Sequence, residues 1–239
     1  MNTKLSMLGQ PPASVWKVLG IFVLMLVPIL GSAEEEEAAV SFDGLVVVEG
    51  SRVHMAYIDP DADFSVFHRV AILDPHVAFR SNWQRDVNRS RSRNVRASDM
   101  ERIKDDVAGL FKDVFTEQLE AAGFEVVNYA GEDVLVLRPA IVDLDITAPD
   151  VRSAGRSRTY TANTGAATLY IELFDSLSGA IIGRAADRRS GGRSGGFATV
   201  SNRVTNRADA RREFRVWADQ LIAFLNEHYV EAKAEAEAE

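Results

Sequence analysis

Arginine is the residue type best suited to do chemistry in this chain, and it is unevenly placed. Arginine outnumbers lysine 22 to 5. Three groups fall at residues 85–96, 152–158 and 188–193. Guanidinium forks match the oxygens of phosphate and carboxylate. If these groups meet at one end of a sheet, Arg152, Arg156, Arg158, Arg188 and Arg189 form an anion-binding or partner-binding surface. The competing explanation is a compositional bias, with each arginine solvated or paired to a nearby acid, where exposed charge contributes little.

Other chemistries fit less well. Gly192, Ser194 and Gly196 have the spacing of a nucleophile elbow, and Asp209, Asp219 and His228 follow in hydrolase order. An elbow needs an apolar strand turning sharply into a helix. Here Asp187-Arg188-Arg189-Ser190 precede it, and no helical pattern starts before about residue 206. A flexible Gly/Ser/Arg loop accounts for the match. Asp59, Asp61 and Asp63 are spaced like the start of a calcium loop. Phe64 stands where that loop needs glycine, and Val70 where it needs a bidentate glutamate. A turn capped by its own aspartates is the simpler reading. His54, His68, His76 and His228 show no metal-ligand spacing, and His68 and His76 would sit about 26 Å apart on one strand. No metal and no cofactor are expected. Asp143 and Asp145 share a strand face and, with Asp187, are the carboxylates available to a small hydrolase of envelope polymers. The wet face of a sheet explains the first two equally well.

The elements that must position these groups follow from periodicity. Residues 45–48 and 52–58 flank Glu49-Gly50-Ser51 as a hairpin. Residues 67–79 read as a strand, with Pro75 at an edge, at a bulge or past its end. Residues 80–96 read as a polar loop. Ser98-Asp99-Met100-Glu101 forms a capping box for a helix whose face is Ile103, Val107, Leu110, Phe111, Val114, Phe115 and Leu119. Gly123 ends it. Strands follow at 124–129 and 134–146, where Val142, Leu144 and Ile146 alternate with Asp143 and Asp145. Pro139 implies an edge or a bulge. Ala167, Leu169, Ile171 and Leu173 share one face of the next strand. A turn over residues 175–179 returns the chain along 180–188. A second Gly/Arg-rich loop covers 189–203, and a helix over about 206–229 carries Phe214, Trp217, Leu221, Phe224 and Leu225. The expectation is an α+β fold, a two-layer sandwich whose mixed, mostly antiparallel sheet carries two main helices on one face.

Residues 1–33 read as a signal peptide. Lys4 and Lys17 precede or begin the apolar run 18–30, and Gly31-Ser32-Ala33 suits cleavage after Ala33. The run is short for a membrane anchor, which takes about 20 residues, and it contains Pro28. The expected layout is a leader at 1–33, an acidic segment at 34–41, one domain at 42–230 and an acidic tail at 231–239. The net charge is −8, which argues against nucleic acid as a partner. There is no cysteine, so disulfides, thiolate metal sites and a thiol-linked lipid anchor are excluded.

Several pieces, taken in order, resemble the domain-of-unknown-function 3313 family of bacterial envelope proteins, whose members include lipoproteins. They are Tyr57-Ile58-Asp59-Pro60, Asn82-Trp83-Gln84, Ala122-Gly123, residues 134–144, residues 172–179, Asp187-Arg188 and Trp217-Ala218. The chain departs from the lipoproteins in lacking a cysteine at the cleavage site. The resemblance implies an envelope location and brings no activity. The reading is an exported periplasmic protein, a non-catalytic binding or accessory module. Its partner is an envelope protein or an anionic envelope component, and the mature chain has no membrane-spanning segment. The alternatives are anion binding through the arginine loops and a small envelope-polymer hydrolase.

Overall fold

The structure is a computed structural model that describes residues 40–89, 94–146, 159–161, 165–191, 199–201 and 203–236. These residues form ten strands and three α-helices. In order they are β1 (Val46–Val47), β2 (Met55–Ile58), β3 (Arg69–Ile72), β4 (His76–Phe79), α1 (Trp83–Arg89), α2 (Ala97–Ala121) and β5 (Glu125–Val127). Then come β6 (Val134–Ile146), β7 (Thr159–Thr161), β8 (Gly165–Asp175), β9 (Ile181–Gly191), β10 (Thr199–Ser201) and α3 (Arg203–Ala236). Eight strands make one mixed sheet in the order β1-β2-β9-β8-β6-β3-β5, with β4 also paired to β6. β7 and β10 pair separately. The fold is α+β with an open mixed sheet, as expected.

The strand β6 is the spine of the sheet. It runs antiparallel to β8 and parallel to both β3 and β4. Pro139 therefore lies in a central strand, not at an edge or in the bulge. The Leu73 amide donates to the Leu137 carbonyl at 3.0 Å. Residues two apart direct their backbone groups to the same side, so Pro139 faces the break between β3 and β4. Pro75 lies in that same break, which splits the expected single strand into two. Neither proline removes a ladder bond: Pro139 is paired with Ile171 of β8, but its nitrogen is on the other side, at the break where no strand is paired.

Alternation along β6 also departs from expectation. Leu135, Leu137 and Ile141 are fully buried, whereas Val142 is only half-buried. A register shift between Val142 and Asp145, with Asp143 at φ 51°, restores Leu144 to the buried side. A bulge adds one residue and so reverses which parity faces inward.

Helix α2 carries its apolar face where the spacing put it, with Leu110, Phe111, Val114, Phe115 and Leu119 buried. Its start is earlier than the expected box. The Asp99 carboxylate accepts from the Arg96 backbone N–H at 3.1 Å, so an aspartate at the third helical position caps the end and Ser98 is already helical. Gly123, at φ 96°, terminates it. Phe111 stacks on Phe115 with ring centres 3.9 Å apart and meets Phe214 of α3 edge-on at 5.5 Å. Phe214, Trp217 and Leu225 of α3 are buried with Leu169, Ile171 and Leu173 of β8 in one core. Each such side chain contributes roughly 2 kcal/mol by leaving water.

The polar loop expected at 80–96 contains α1. Only Trp83 and Val87 mark its apolar side, too few for a periodic signal. Tertiary contacts hold it instead. Trp83 stacks on Phe79, and its N–H donates to the Ile146 carbonyl at 3.2 Å. Among the described residues, no helix is long and apolar enough to cross a membrane.

Candidate functional site

Strand pairing places one carboxylate against the helices. Asp187 of β9 lies opposite Leu169 of β8, which faces the core. The Asp187 side chain is 7% exposed. Buried carboxylates need partners, and Asp187 has three. The Trp217 indole N–H donates to Oδ2 at 2.9 Å, and the Arg189 Nε–H donates to the same oxygen at 3.0 Å. His54, just before β2, bonds Oδ1 through Nδ1. An ionised carboxylate only accepts, so Nδ1 carries the shared proton. Burial works against the charge of Asp187. The bonds from His54 and Trp217 and the charge of Arg189 outweigh it and hold the carboxyl below its ordinary value.

This node borders a cleft of about 190 Å³ between the loop of residues 48–54 and α3. The floor is Leu169, Ile171, Leu173 and Phe115, and Trp217, Leu221 and Phe224 wall the α3 side. Arg52 and Glu227 stand exposed at the rim, while Arg184, Asp187 and Gln220 reach into the lining. Loop and helix are fastened together there. Arg52 pairs with Glu227 at 2.5 Å, and the Gln220 Nε2–H donates to the Arg52 carbonyl at 3.0 Å. The third fastening is indirect: His54 bonds Asp187 of β9, which in turn holds Trp217 of α3. An engineered apolar cavity of about 150 Å³ accommodates benzene, so this cleft is large enough for a small organic molecule. A shallower hollow beside it, about 530 Å³, is lined by Arg52, His54, Arg188 and Ser190.

The residues singled out from sequence are placed as follows. Arg188 is exposed and reaches Thr168 Oγ1 at 3.3 Å. Arg189 turns inward to Asp187 and also faces Glu213 at 3.7 Å. Both belong to β9, not to a loop. Arg152, Arg156, Arg158, residues 192–196 and the Ala33 cleavage position lie outside the described residues. Arg85 is helical and pairs with Asp86 at 3.4 Å. Asp145 is held by Arg80 at 2.8 Å, while Asp143 is the bulge residue, so the alternation that paired them is broken. Asp59 accepts from the Asp61 amide at 3.0 Å and Asp63 from the Ser65 amide at 2.8 Å, as in a self-capped turn. Among the described residues, no group of three or more acids and histidines is placed to hold a metal.

Sequence reasoning missed His54, Arg52 and Gln220 and took Asp187 only as one carboxylate among several. The signal for Asp187 was incomplete. The turn at residues 175–179 sets only the start of the β8–β9 register; a one-residue shift between Phe174 and Leu173, which the sequence does not announce, is what brings Asp187 opposite Leu169.

Fold and site together define an α+β domain with a small ligand-sized cleft at its sheet edge. Residues 34–221 match the family described as protein of unknown function (DUF3313), and the chain belongs to that family. No curated protein matches the chain. Among solved structures it is similar to the PelC dodecamer from Paraburkholderia phytofirmans, at 13% identity, 67% of this chain, 91% of that one and TM-score 0.36. It is also similar to a DUF330 protein from Xanthomonas campestris, at 12% identity, 77% of this chain, 95% of that one and TM-score 0.37. A DUF4136 protein from Bacteroides thetaiotaomicron shows 13% identity over 74% of this chain and 97% of that one, at TM-score 0.32.

Proposed function

We propose that this chain is an exported, non-catalytic binding module of the bacterial envelope, which holds a small apolar or amphipathic molecule between the 48–54 loop and α3. The observation that carries the reading is the cleft itself. Its floor and walls are mostly apolar, a few buried polar groups reach into them, and a three-point fastening closes it. Asp187 already accepts from three donors, which suits a structural post better than a proton-transfer group. In this reading residues 1–33 are a leader cleaved after Ala33, residues 34–41 and 231–239 are acidic flanks, and α2 and α3 form the second layer of a two-layer sandwich. Titration with an apolar fluorescent probe tests the binding role. Saturable binding lost in Leu221→Asp is expected. Binding unaffected by that change places the probe elsewhere and removes the cleft from the reading.

A second reading keeps the arginines as an anion site, for an acidic partner or a phosphorylated envelope component. The open hollow where Arg188 stands beside Arg52 and His54 favours it, and Arg189, Arg152, Arg156 and Arg158 would extend it. Binding of phosphorylated lipid should then fall with salt and with Arg188→Ala. Affinity indifferent to both would reject it.

A further inference from the structure

We infer that the cleft selects a ligand bearing a hydrogen-bond donor, a hydroxyl or N–H on an apolar body, and that Gln220 Oε1 receives it. This rests on reading the cleft as a binding site.

Among the described residues, one acceptor in the cleft lining is unpaired. Gln220 lines the cleft from α3. Its Oε1 is buried without a hydrogen-bond partner among the described residues. The orientation of the amide is fixed by chemistry. Its other end lies 3.0 Å from the Arg52 carbonyl, which can only accept. The NH₂ must therefore face Arg52, and the oxygen must be the orphan. Flipping the amide would set two acceptors against each other.

A buried acceptor without a partner is costly, and native structures keep few of them. Two polar neighbours in the cleft already have partners. Both Asp187 oxygens are occupied, and the Arg52 guanidinium is paired with Glu227. Arg184 Nε, also in the lining and buried without a hydrogen bond, lies 3.4 Å from Glu172 Oε1 in an ion pair, so the acceptor left without any partner among the described residues is Gln220 Oε1. A neutral donor complements that arrangement, whereas a carboxylate brings more acceptors to an acceptor. The Gln220 oxygen is shut off from solvent while its Nε2–H is bonded to the Arg52 carbonyl of the 48–54 loop, so the ligand reaches it when that loop contact opens. Arg52 and Glu227 are 63% and 56% exposed, so their pair is readily broken.

Phenol, toluene and benzoate test this on the full chain. Phenol and toluene share a shape and differ in the donor, and benzoate supplies an anion. Dissociation constants come from two-dimensional NMR, with the Trp217 indole N–H as the reporter in the cleft wall. The wild type should bind phenol roughly tenfold more tightly than toluene, the ratio a single hydrogen bond provides. Gln220→Met, which keeps the side-chain length and drops the amide, should bind both alike, its circular dichroism unchanged. Equal affinities in the wild type, a phenol preference that survives Gln220→Met, or a preference for benzoate each overturn the inference. If toluene still binds at Trp217 in those cases, the cleft remains a binding site. If none of the three perturbs Trp217, the cleft reading fails and this inference with it. The wild-type comparison decides the matter even if the variant does not fold.

Discussion

The Trp217 indole N–H donates to Asp187 Oδ2 at 2.9 Å, joining helix α3 to strand β9 beneath the sheet edge. The same carboxylate holds His54, so one buried group ties α3, β9 and the approach to β2 together. Removing its charge should loosen all three. Asp187→Asn still accepts from Trp217 but turns an NH₂ towards one of its other donors. Arg189 retains Glu213, which softens the loss. The expected cost at pH 7 is about 2 kcal/mol. The folded carboxyl titrates below its unfolded value of about 3.9. Its contribution is therefore complete above that value and is lost as pH falls through the lower folded value. Urea unfolding at pH 7 and pH 3 should show the gap between wild type and Asp187→Asn shrinking in acid. A gap independent of pH would remove the charge from the account.

The β6 bulge carries a second prediction. A Cβ at Gly165 would stand 2.4 Å from the Asp145 carbonyl oxygen, a backbone atom that cannot step aside. Gly165→Ala should cost about 2 kcal/mol by forcing the bulge apart. Gly183 is the control. A Cβ there would approach the Leu173 Cδ1 at 3.1 Å, and a methyl group can rotate away. Gly183→Ala should cost less than half as much in thermal unfolding. Equal costs would show that the bulge is not rigid.

These two positions also show what the sequence could and could not reveal. Strong local signals survived. The face of α2, the stop at Gly123, the Asp175 turn and the inward face of β8 are all set by neighbours in the chain, and each is as read. Non-local pairing was hidden. Pro139 looked like an edge residue because nothing local shows that its two parallel partners leave a gap opposite it. The alternation of Val142, Leu144 and Ile146 looked regular because one bulge residue, Asp143, cancels the parity without altering composition. Helix α1 has two apolar residues and is held by Phe79 of the preceding strand and by the Ile146 carbonyl, 63 residues away in sequence. At the site, Arg52 and Gln220 are ordinary surface residue types until the fold brings them within 3.0 Å.

The loop fastening separates local opening from global stability. Arg52 and Glu227 are both more than half exposed, so their pair should contribute less than about 1 kcal/mol. Arg52→Ala keeps the carbonyl that Gln220 holds. Global unfolding should barely change, while amide hydrogen exchange across residues 48–54 accelerates and that of β8 does not. Glu227→Ala should do the same, and the double variant should be no faster than either single one. Additive acceleration would mean that the two side chains act on the loop separately.

The β8–β9 turn gives the last prediction. Asp175 Oδ1 accepts from the Ser178 amide at 2.7 Å, from the Leu177 amide at 2.9 Å and from the Ser178 hydroxyl at 2.9 Å. The Ser178 amide, against some desolvation and joined by the other two donors, holds the carboxyl below its ordinary value. Asp175→Ala removes the acceptor and should cost about 1–2 kcal/mol. Asp175→Asn keeps an oxygen in place and should cost less. Because the folded carboxyl titrates low, its contribution is present above the unfolded value of about 3.9 and is lost on further acidification. The difference between wild type and Asp175→Asn should therefore narrow in acid, as for Asp187. Gly179 closes the same turn at φ 68°, with open space where a Cβ would project. Gly179→Ala then reports backbone strain alone, about 1 kcal/mol. If Asp175→Ala and Asp175→Asn prove equally destabilising in thermal unfolding, the charge, not the acceptor geometry, holds the turn.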